Sequence, residues 1–445
     1  MFRVLSHPVY ARLFMAQVIA LTGTGLLTVA LGLLAFDLAG AQAGAVLGTA
    51  YAIKMVAYVG LSPIAAALTE HLPRKAVLIG ADVIRAAVAL LLPFIDAVWQ
   101  IYALIFILQA ASATFTPAFQ ATIPDILSDE AEYTKALSLS RLAYDLENLL
   151  SPALAGMLLA VVSYHWLFAG TVFGFVGSAL LVAIAALPRR SASKTTRPFR
   201  ERLTRGTRIY LATPRLRGLL ALTLTAASSS AFVLVNTVVV VRAGYGLDDA
   251  HLAYALAAFG AGSMISALSL PRLLENRRDR SVMVPAGAAL ALGTLALSAY
   301  MFTAGLPSWP AFLITWGLFG LLYAAIMTPS GRLLRRSAHP ADRQAVFTAQ
   351  FALSHACWLV AYPVAGWVGQ GLGLPSALAV LGVIGLIGAI AARRLWPVDQ
   401  PEDFEHSHAD LPPDHPHLKD HPAQNKRHTH AFVIDDEHRV WPSHG

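Results

Sequence analysis

Twelve apolar runs, each about as long as a helix that crosses a bilayer core, recur from Tyr10–Phe36 to Pro375–Leu395. Backbone N–H and C=O groups in lipid must find partners within their own segment, and nothing in these runs alternates with the two-residue period of a barrel strand. The runs therefore predict an all-α polytopic membrane protein with twelve transmembrane helices. Of 445 residues, 56% are hydrophobic and only 13% charged, a balance foreign to a water-soluble domain. The first run starts close behind Arg3 and Arg12 and is too long for a signal-peptide core, so it is expected to remain in the protein.

Charge sets the orientation. With the N terminus inside, twelve crossings place both termini and the even connections in the cytoplasm. All but Lys54, Arg85 and Arg242 of the 33 Lys and Arg then lie in cytoplasmic segments or at their membrane mouths. The net charge of +7 is thereby accounted for, and no nucleic-acid partner is needed. A multi-pass protein of a bacterial-type inner membrane is expected, monomeric, with the lipid bilayer as its standing partner. The single cysteine, Cys357, excludes an intramolecular disulfide and falls inside an apolar run.

The connections divide the chain. Arg189 to Arg217 is long and carries ten basic residues, whereas the outer connections are short and poor in Lys and Arg. We assign residues 1–188 to one six-helix bundle, 189–215 to a basic cytoplasmic linker, 216–396 to a second six-helix bundle and 397–445 to a polar tail. An internal repeat supports the division. Thr116-Pro117 is followed 35 residues later by Pro152-Ala-Leu-Ala-Gly156, and Thr328-Pro329 is followed 34 residues later by Pro363-Val-Ala-Gly366. Crossings four and five thus correspond to ten and eleven, as in transporters built from parallel repeats.

Between the second and third runs, Pro63-Ile-Ala-Ala-Ala-Leu-Thr-Glu70-His71-Leu-Pro-Arg74-Lys75 sets an acidic residue before closely spaced basic ones. This loop resembles the signature of the major facilitator superfamily. The resemblance implies two bundles rocking about a central cavity, with Glu70, Arg74 and Lys75 latching helix ends in one state. The alternative is that these charges only fix topology.

Ionisable groups inside the runs are functional candidates because their burial in lipid is costly. The fifth run, Ser138–Val162, begins with Arg141, Asp145, Glu147 and Asn148. Arg141, Asp145 and Asn148 share a helical face, so Arg141 is expected to neutralise Asp145, whereas Glu147 points away without an equally close local partner. Glu147 is the candidate coupling or substrate carboxylate, supported by Asp145 and Asn148; an interhelical ion-pair role is the alternative. Asp82 and Arg85, three apart, are expected to pair with each other. His355 could bind a proton or metal, or pack as a hydrogen-bonded group, and Cys357 lies on nearly the opposite face. Lys54 in the second run would repel a dication and suit an organic anion, unless it snorkels or pairs with a carboxylate. The polar start of the seventh run, Thr223 to Ser230, and Asn236 could bind substrate or glue helices together.

The tail holds nine of the 15 histidines, among them His406, His408, His415, His417, His421, His428 and His430. Its polar, Pro-rich composition predicts a largely disordered segment. Clustered imidazoles with Asp410, Asp414 and Asp420 suit transient capture of nickel, zinc or copper, the alternative being a merely solvating tail.

A twelve-helix facilitator with such a tail resembles the nickel-resistance exporters of the superfamily, most specifically through Arg141-Leu-Ala-Tyr-Asp145-Leu-Glu147-Asn148-Leu-Leu-Ser-Pro152. That resemblance implies outward transport of nickel, with cobalt as a second cargo, driven by proton entry. No resident cofactor is expected. The chain contains no G-x-x-x-x-G-K-[ST] pattern, so a secondary transporter and not an enzyme is anticipated. Lys54 favours a competing reading, export of a drug or siderophore-like organic anion. A membrane metal sensor that transports nothing is the third.

Overall fold

The computed structural model describes residues 2–39, 43–69, 71–140, 142–143, 158, 161–188, 198–247, 249–398, 403–407, 427–438 and 440–441. The first half contains α1 (Pro8–Ala39), α2 (Ala43–Leu68), α3 (Arg74–Leu91), α4 (Val98–Ile126), α5 (beginning over 130–140) and α6 (His165–Ile184). A linker helix, α7 (Phe199–Ala212), follows. The second half contains α8 (Pro214–Val239), α9 (Asp249–Glu275), α10 (Asp279–Ala304), α11 (Trp309–Met327) continued by α12 (Ser330–Arg336), α13 (Arg343–Pro363), the single turn α14 (Gly369–Leu372) and α15 (Leu374–Leu395).

Ten helices among the described residues are long and apolar enough to cross a membrane. Helix α2 adds a shorter apolar stretch, Ile53–Leu68, and most of the fifth run lies outside the described residues. The helical, polytopic architecture of the two halves matches the sequence reading.

The two halves repeat one pairing scheme. Helix α1 lies on α6 as α8 lies on α15, α2 on α4 as α9 on α11, and α3 on α6 as α10 on α15. In lipid there is little hydrophobic force between helices, so close approach through small residues takes its place. Gly174 sits on Gly23 so tightly that a Cβ on it would lie 2.9 Å from the Gly23 Cα. Between α9 and α11 the approach is closer still: a Cβ on Gly262 would lie 1.8 Å from the Gly317 carbonyl oxygen, and one on Gly320 1.9 Å from that of Phe259. Polar side chains finish these seams. Thr171 Oγ1 donates to the Gly23 carbonyl at 2.9 Å, and Thr225 Oγ1 to that of Gly385 at 2.8 Å.

Between the halves, α2 packs on α13, α4 on α13, and α2 on the linker helix α7. The end of the bundle that carries α7 also carries the α2–α3, α4–α5, α9–α10, α12–α13 and tail connections, and is called the linker end below.

The tail departs from its expected disorder where it is described. Strands β1 (Asp403–Ser407) and β2 (Arg427–Ala431) form an antiparallel ladder that sets His406 opposite His428 and Phe404 opposite His430. Beyond β2, Phe432 and Ile434 are 4% and 2% exposed and belong to the apolar core of the second half. A short apolar stretch buried against a preformed bundle thus orders a segment whose average composition is polar.

Candidate functional site

The linker end is closed by charge. Arg74, at the first turn of α3, is ion-paired with Asp125 at the end of α4, and Asp125 Oδ1 also accepts from Arg343 Nη1 of the second half at 2.5 Å. Beside it, Glu130 of the first half is ion-paired with Arg336, whose Nη2 donates to Oε2 at 2.7 Å, and lies 3.6 Å from Arg332. Arg335 donates to the Ser128 carbonyl and stacks over the Tyr133 ring at 5.4 Å. Arg332 also forks onto Asp279 at 2.9 and 2.6 Å. In the pairs that cross between halves, the first half therefore offers the carboxylates Asp125 and Glu130 and the second the guanidiniums Arg343 and Arg336; Arg74 and Arg332, which pair with carboxylates of their own halves, are only 5% exposed.

The same junction occurs in both halves with its signs exchanged. In the first, the cation Arg74 opens the third crossing and the anion Asp125 ends the fourth; in the second, the anion Asp279 opens α10 and the cation Arg332 lies in α12, the short helix that ends the tenth crossing. Of the loop signature, Lys75 Nζ donates to the Ala185 carbonyl at 3.2 Å, tying α3 to the end of α6. Glu70 lies outside the described residues.

Halfway along the bundle, the halves meet through aromatic side chains. Tyr58 of α2 packs on Phe351 and His355 of α13, with ring centroids 4.8 and 4.6 Å away. Lys54, one turn before Tyr58, holds its Nζ 5.5 Å from the Tyr58 ring. His355 Nδ1 is 2.7 Å from the Phe351 carbonyl oxygen, which can only accept, so Nδ1 carries the hydrogen. Phe351, His355, Trp358 and Tyr362 recur at helical spacing and form one stripe on α13. Trp358 stacks on Tyr362 at 5.1 Å and meets Tyr323 of α11 at 6.5 Å, which meets Phe259 of α9 at 5.9 Å. Because α2 and α13 run antiparallel, Lys54 and the Trp358–Tyr362 end of the stripe both lie on the side of the Tyr58 contact away from the linker end. Cys357, on another face, is buried in the core of the second half.

Asp82 and Arg85 are ion-paired inside the first half. Ser178 Oγ donates to Asp82 Oδ2 at 2.8 Å, and the Arg85 guanidinium lies 4.2 and 4.6 Å from the rings of Phe115 and Phe175. The spacing of the pair announced it; Ser178 and the two rings, distant in sequence, left no signal. The polar residues of α8 join helices: Thr294 Oγ1 donates to Ser229 Oγ at 2.8 Å in the middle of α8, and Asn236 Nδ2 near its end donates to the Ala365 carbonyl at 3.0 Å. Arg141, Asp145, Glu147 and Asn148 lie outside the described residues, as do His408, His415, His417 and His421. Among the described residues no group of three or more His, Cys, Asp or Glu side chains is placed to hold a metal ion.

The junction residues Asp125, Glu130, Arg336 and Arg343 were missed in sequence because each reads as an ordinary loop charge. Their one signal is position: they follow the Thr-Pro marks of the two repeats, Asp125 and Arg336 at the ends of crossings four and ten, Glu130 and Arg343 at the starts of crossings five and eleven.

Comparison with known proteins places this geometry in a family. A 30% identical stretch of 153 residues links the chain to macrolide efflux protein A of Streptococcus pyogenes, covering 32% of this chain and 38% of that protein. The chain thus matches well under half the length of that relative. An uncharacterized MFS-type transporter of Bacillus subtilis, YfiS, is 24% identical over 331 residues, 72% of this chain and 78% of its own. Among solved structures, the human organic anion transporter MFSD10 (TETRAN) superposes with a TM-score of 0.72 at 12% identity over 86% of this chain and 99% of that one. A bacterial homologue of the iron transporter ferroportin in its outward-facing state gives 0.67 at 14% identity, over 87% and 98%. The profile described as Major Facilitator Superfamily matches residues 13–306 and 272–427, and with the duplicated bundle and the charged junctions at its linker end, the chain belongs to that superfamily of membrane transporters.

Proposed function

We propose that the protein is a secondary exporter that carries an amphipathic organic anion out of the cytoplasm by alternating access. The observation that carries this reading is the half-buried Lys54 ammonium beside the aromatic stripe of α13, a cation next to flat apolar surface at the height where the halves meet. Aromatic rings supply area for an apolar body, and a single ammonium in a low-dielectric wall favours a negative group and opposes a dication. Similarity to macrolide efflux proteins supports an organic cargo, with Lys54 the feature of this chain that would select its charge.

In this reading the linker end faces the cytoplasm, as the distribution of Lys and Arg requires. The ion pairs across it then hold the cytoplasmic side shut. Export needs them to break as the halves rock and to reform once cargo has left. Proton entry remains the proposed driving force, with Glu147 as candidate carrier. Nickel export, read from sequence, depends on Glu147 and on tail histidines outside the described residues, and Lys54 beside His355 works against it.

Everted vesicles given a proton gradient test the proposal. A fluorescent aromatic carboxylate should accumulate faster than its neutral amide. Lys54→Met should lower uptake of the carboxylate about ten-fold or more, the value of a lost charge-assisted contact, while Lys54→Arg retains most of it. Uptake of nickel with no uptake of either dye, or charge preference unchanged in Lys54→Met, would overturn it.

A further inference from the structure

The C terminus returns to the linker end close to where it leaves. Trp396, just past α15, packs on Gly218 of α8, and Trp441 lies under the Arg215 guanidinium, 5.5 Å from its ring, one turn earlier on the same helix. Between Phe432 and Trp441 the chain folds back on itself over the core of the second half. The Phe432 ring is 4.7 Å from His438 and 5.2 Å from Trp441. Asp435 Oδ1 accepts from the backbone N–H of Glu437 at 3.0 Å and of His438 at 2.7 Å, and pairs with His438 Nδ1 at 2.9 Å. Burial pushes the Asp435 carboxyl up, but these partners outweigh it and hold it below the usual carboxylate range. The turn is therefore reinforced above the usual carboxylate pKa, and that reinforcement fades as pH falls through the lowered value.

Two arginines connect this segment to the gate. Arg205 of α7, 3% exposed, forks onto Asp342 at 2.6 and 2.8 Å and gives its remaining Nη1 to Asp436 of the tail at 2.6 Å. Burial opposes its charge, and the two carboxylates more than restore it, so its pKa lies above that of an ordinary arginine. Arg215 donates to Ser337 Oγ at 2.7 Å and to the Arg336 carbonyl at 2.8 Å. The stretch from Arg336 to Arg343 is thus pinned at both ends. Those ends carry Arg336 and Arg343, which reach across to Glu130 and Asp125 of the first half. Asp436 and Trp441 of the tail engage the two pinning arginines from outside.

We propose that residues 432–438 with 440–441 are a strap that biases the transporter toward the state closed at the linker end, by holding the loop that carries the gate arginines. The strap acts through position: with Asp436 and Trp441 in place, Arg205 and Arg215 keep the loop where its arginines meet the first half, and that state alone gains the ion pairs. Displacing the strap loosens the loop and lets the gate open more often. Helix α7 also packs on α2, so Arg205 ties the strap to a helix that touches both halves. The inference rests on alternating access and is independent of the cargo.

Electron-spin distance measurements between labels at Glu132→Cys and His339→Cys test it, in a Cys357→Ala background and in proteoliposomes; both labelled positions are exposed at the linker end on opposite halves. The full chain should show a dominant short distance. A chain ending at Ala431 should raise the fraction of the long distance about five-fold or more, the low end of the coupling such contacts carry. Asp436→Asn and Trp441→Ala, which leave Phe432 and Ile434 seated, should each move it part of the way and decide the matter if the shortened chain does not reach the membrane. A long-distance fraction present in the full chain and equal in every variant overturns the strap alone. One fixed distance in all preparations overturns the rocking motion as well.

Discussion

Replacing Asp125 by Asn is expected to cut export at least ten-fold while the protein still inserts. Asp125 is the shared anion of Arg74 and Arg343, one from each half, and its side chain is 20% exposed against 5% and 16% for theirs. Removing one partner of a buried ion pair leaves its cation without compensation, at a cost of about 3–5 kcal/mol when burial is complete. Partial exposure of Asp125 reduces this, and about 2 kcal/mol is a reasonable discount, a factor of roughly 30 in the closing equilibrium. The loss falls on the closed state because only there do both arginines share the carboxylate. The spin-label pair at Glu132→Cys and His339→Cys should report a larger long-distance fraction, and Asp125→Asn with Arg343→Gln should recover part of the short one by removing the stranded cation. Export and distances equal to those of the parent protein would show that the pair does not gate.

The second large effect is steric. Gly262→Val should remove most folded protein, and Gly262→Ala should lower the thermal midpoint markedly, because the Cβ would lie 1.8 Å from a backbone oxygen that cannot rotate away. Overpacking against movable side chains costs about 1–3 kcal/mol; here α9 and α11 must separate along their seam, undoing the contact at Gly320 as well. Gly60→Ala is the control. A Cβ there meets nothing within 4 Å, so that change should be neutral or slightly stabilising. Fluorescence-detected size exclusion after heating measures both, and equal midpoints for Gly262→Ala and Gly60→Ala would sink the argument.

Much of this molecule could be read in advance because lipid leaves few choices. A run such as Val282–Thr303 has to be a helix, and Asp82 with Arg85 at a three-residue spacing inside an apolar run has to neutralise itself. The Thr-Pro marks located the repeat, and the pairing of α9 with α11 as of α2 with α4 follows from it. What was hidden depends on contacts far apart in sequence. Asp125 and Glu130 looked like loop charges because their partners lie some 200 residues on. The tail hid its buried end because Ala431–Ile434 is an apolar run of only four residues in a polar stretch, and its burial depends on a surface built by other helices. Lys54 drew notice by its cost in lipid, yet its aromatic setting needed α13 to be laid against α2.

The exchange of sign between the two junctions limits which assemblies can form. Two copies of the first half, brought together about a twofold axis as an isologous dimer, would set Asp125 and Glu130 against their own duplicates; two copies of the second would confront Arg336 and Arg343 with theirs. Neither homodimer can close this end of the bundle. Coexpressed separate halves should therefore pair only as heterodimers, and covalent fusion of unlike partners is what gives the chain a door that shuts.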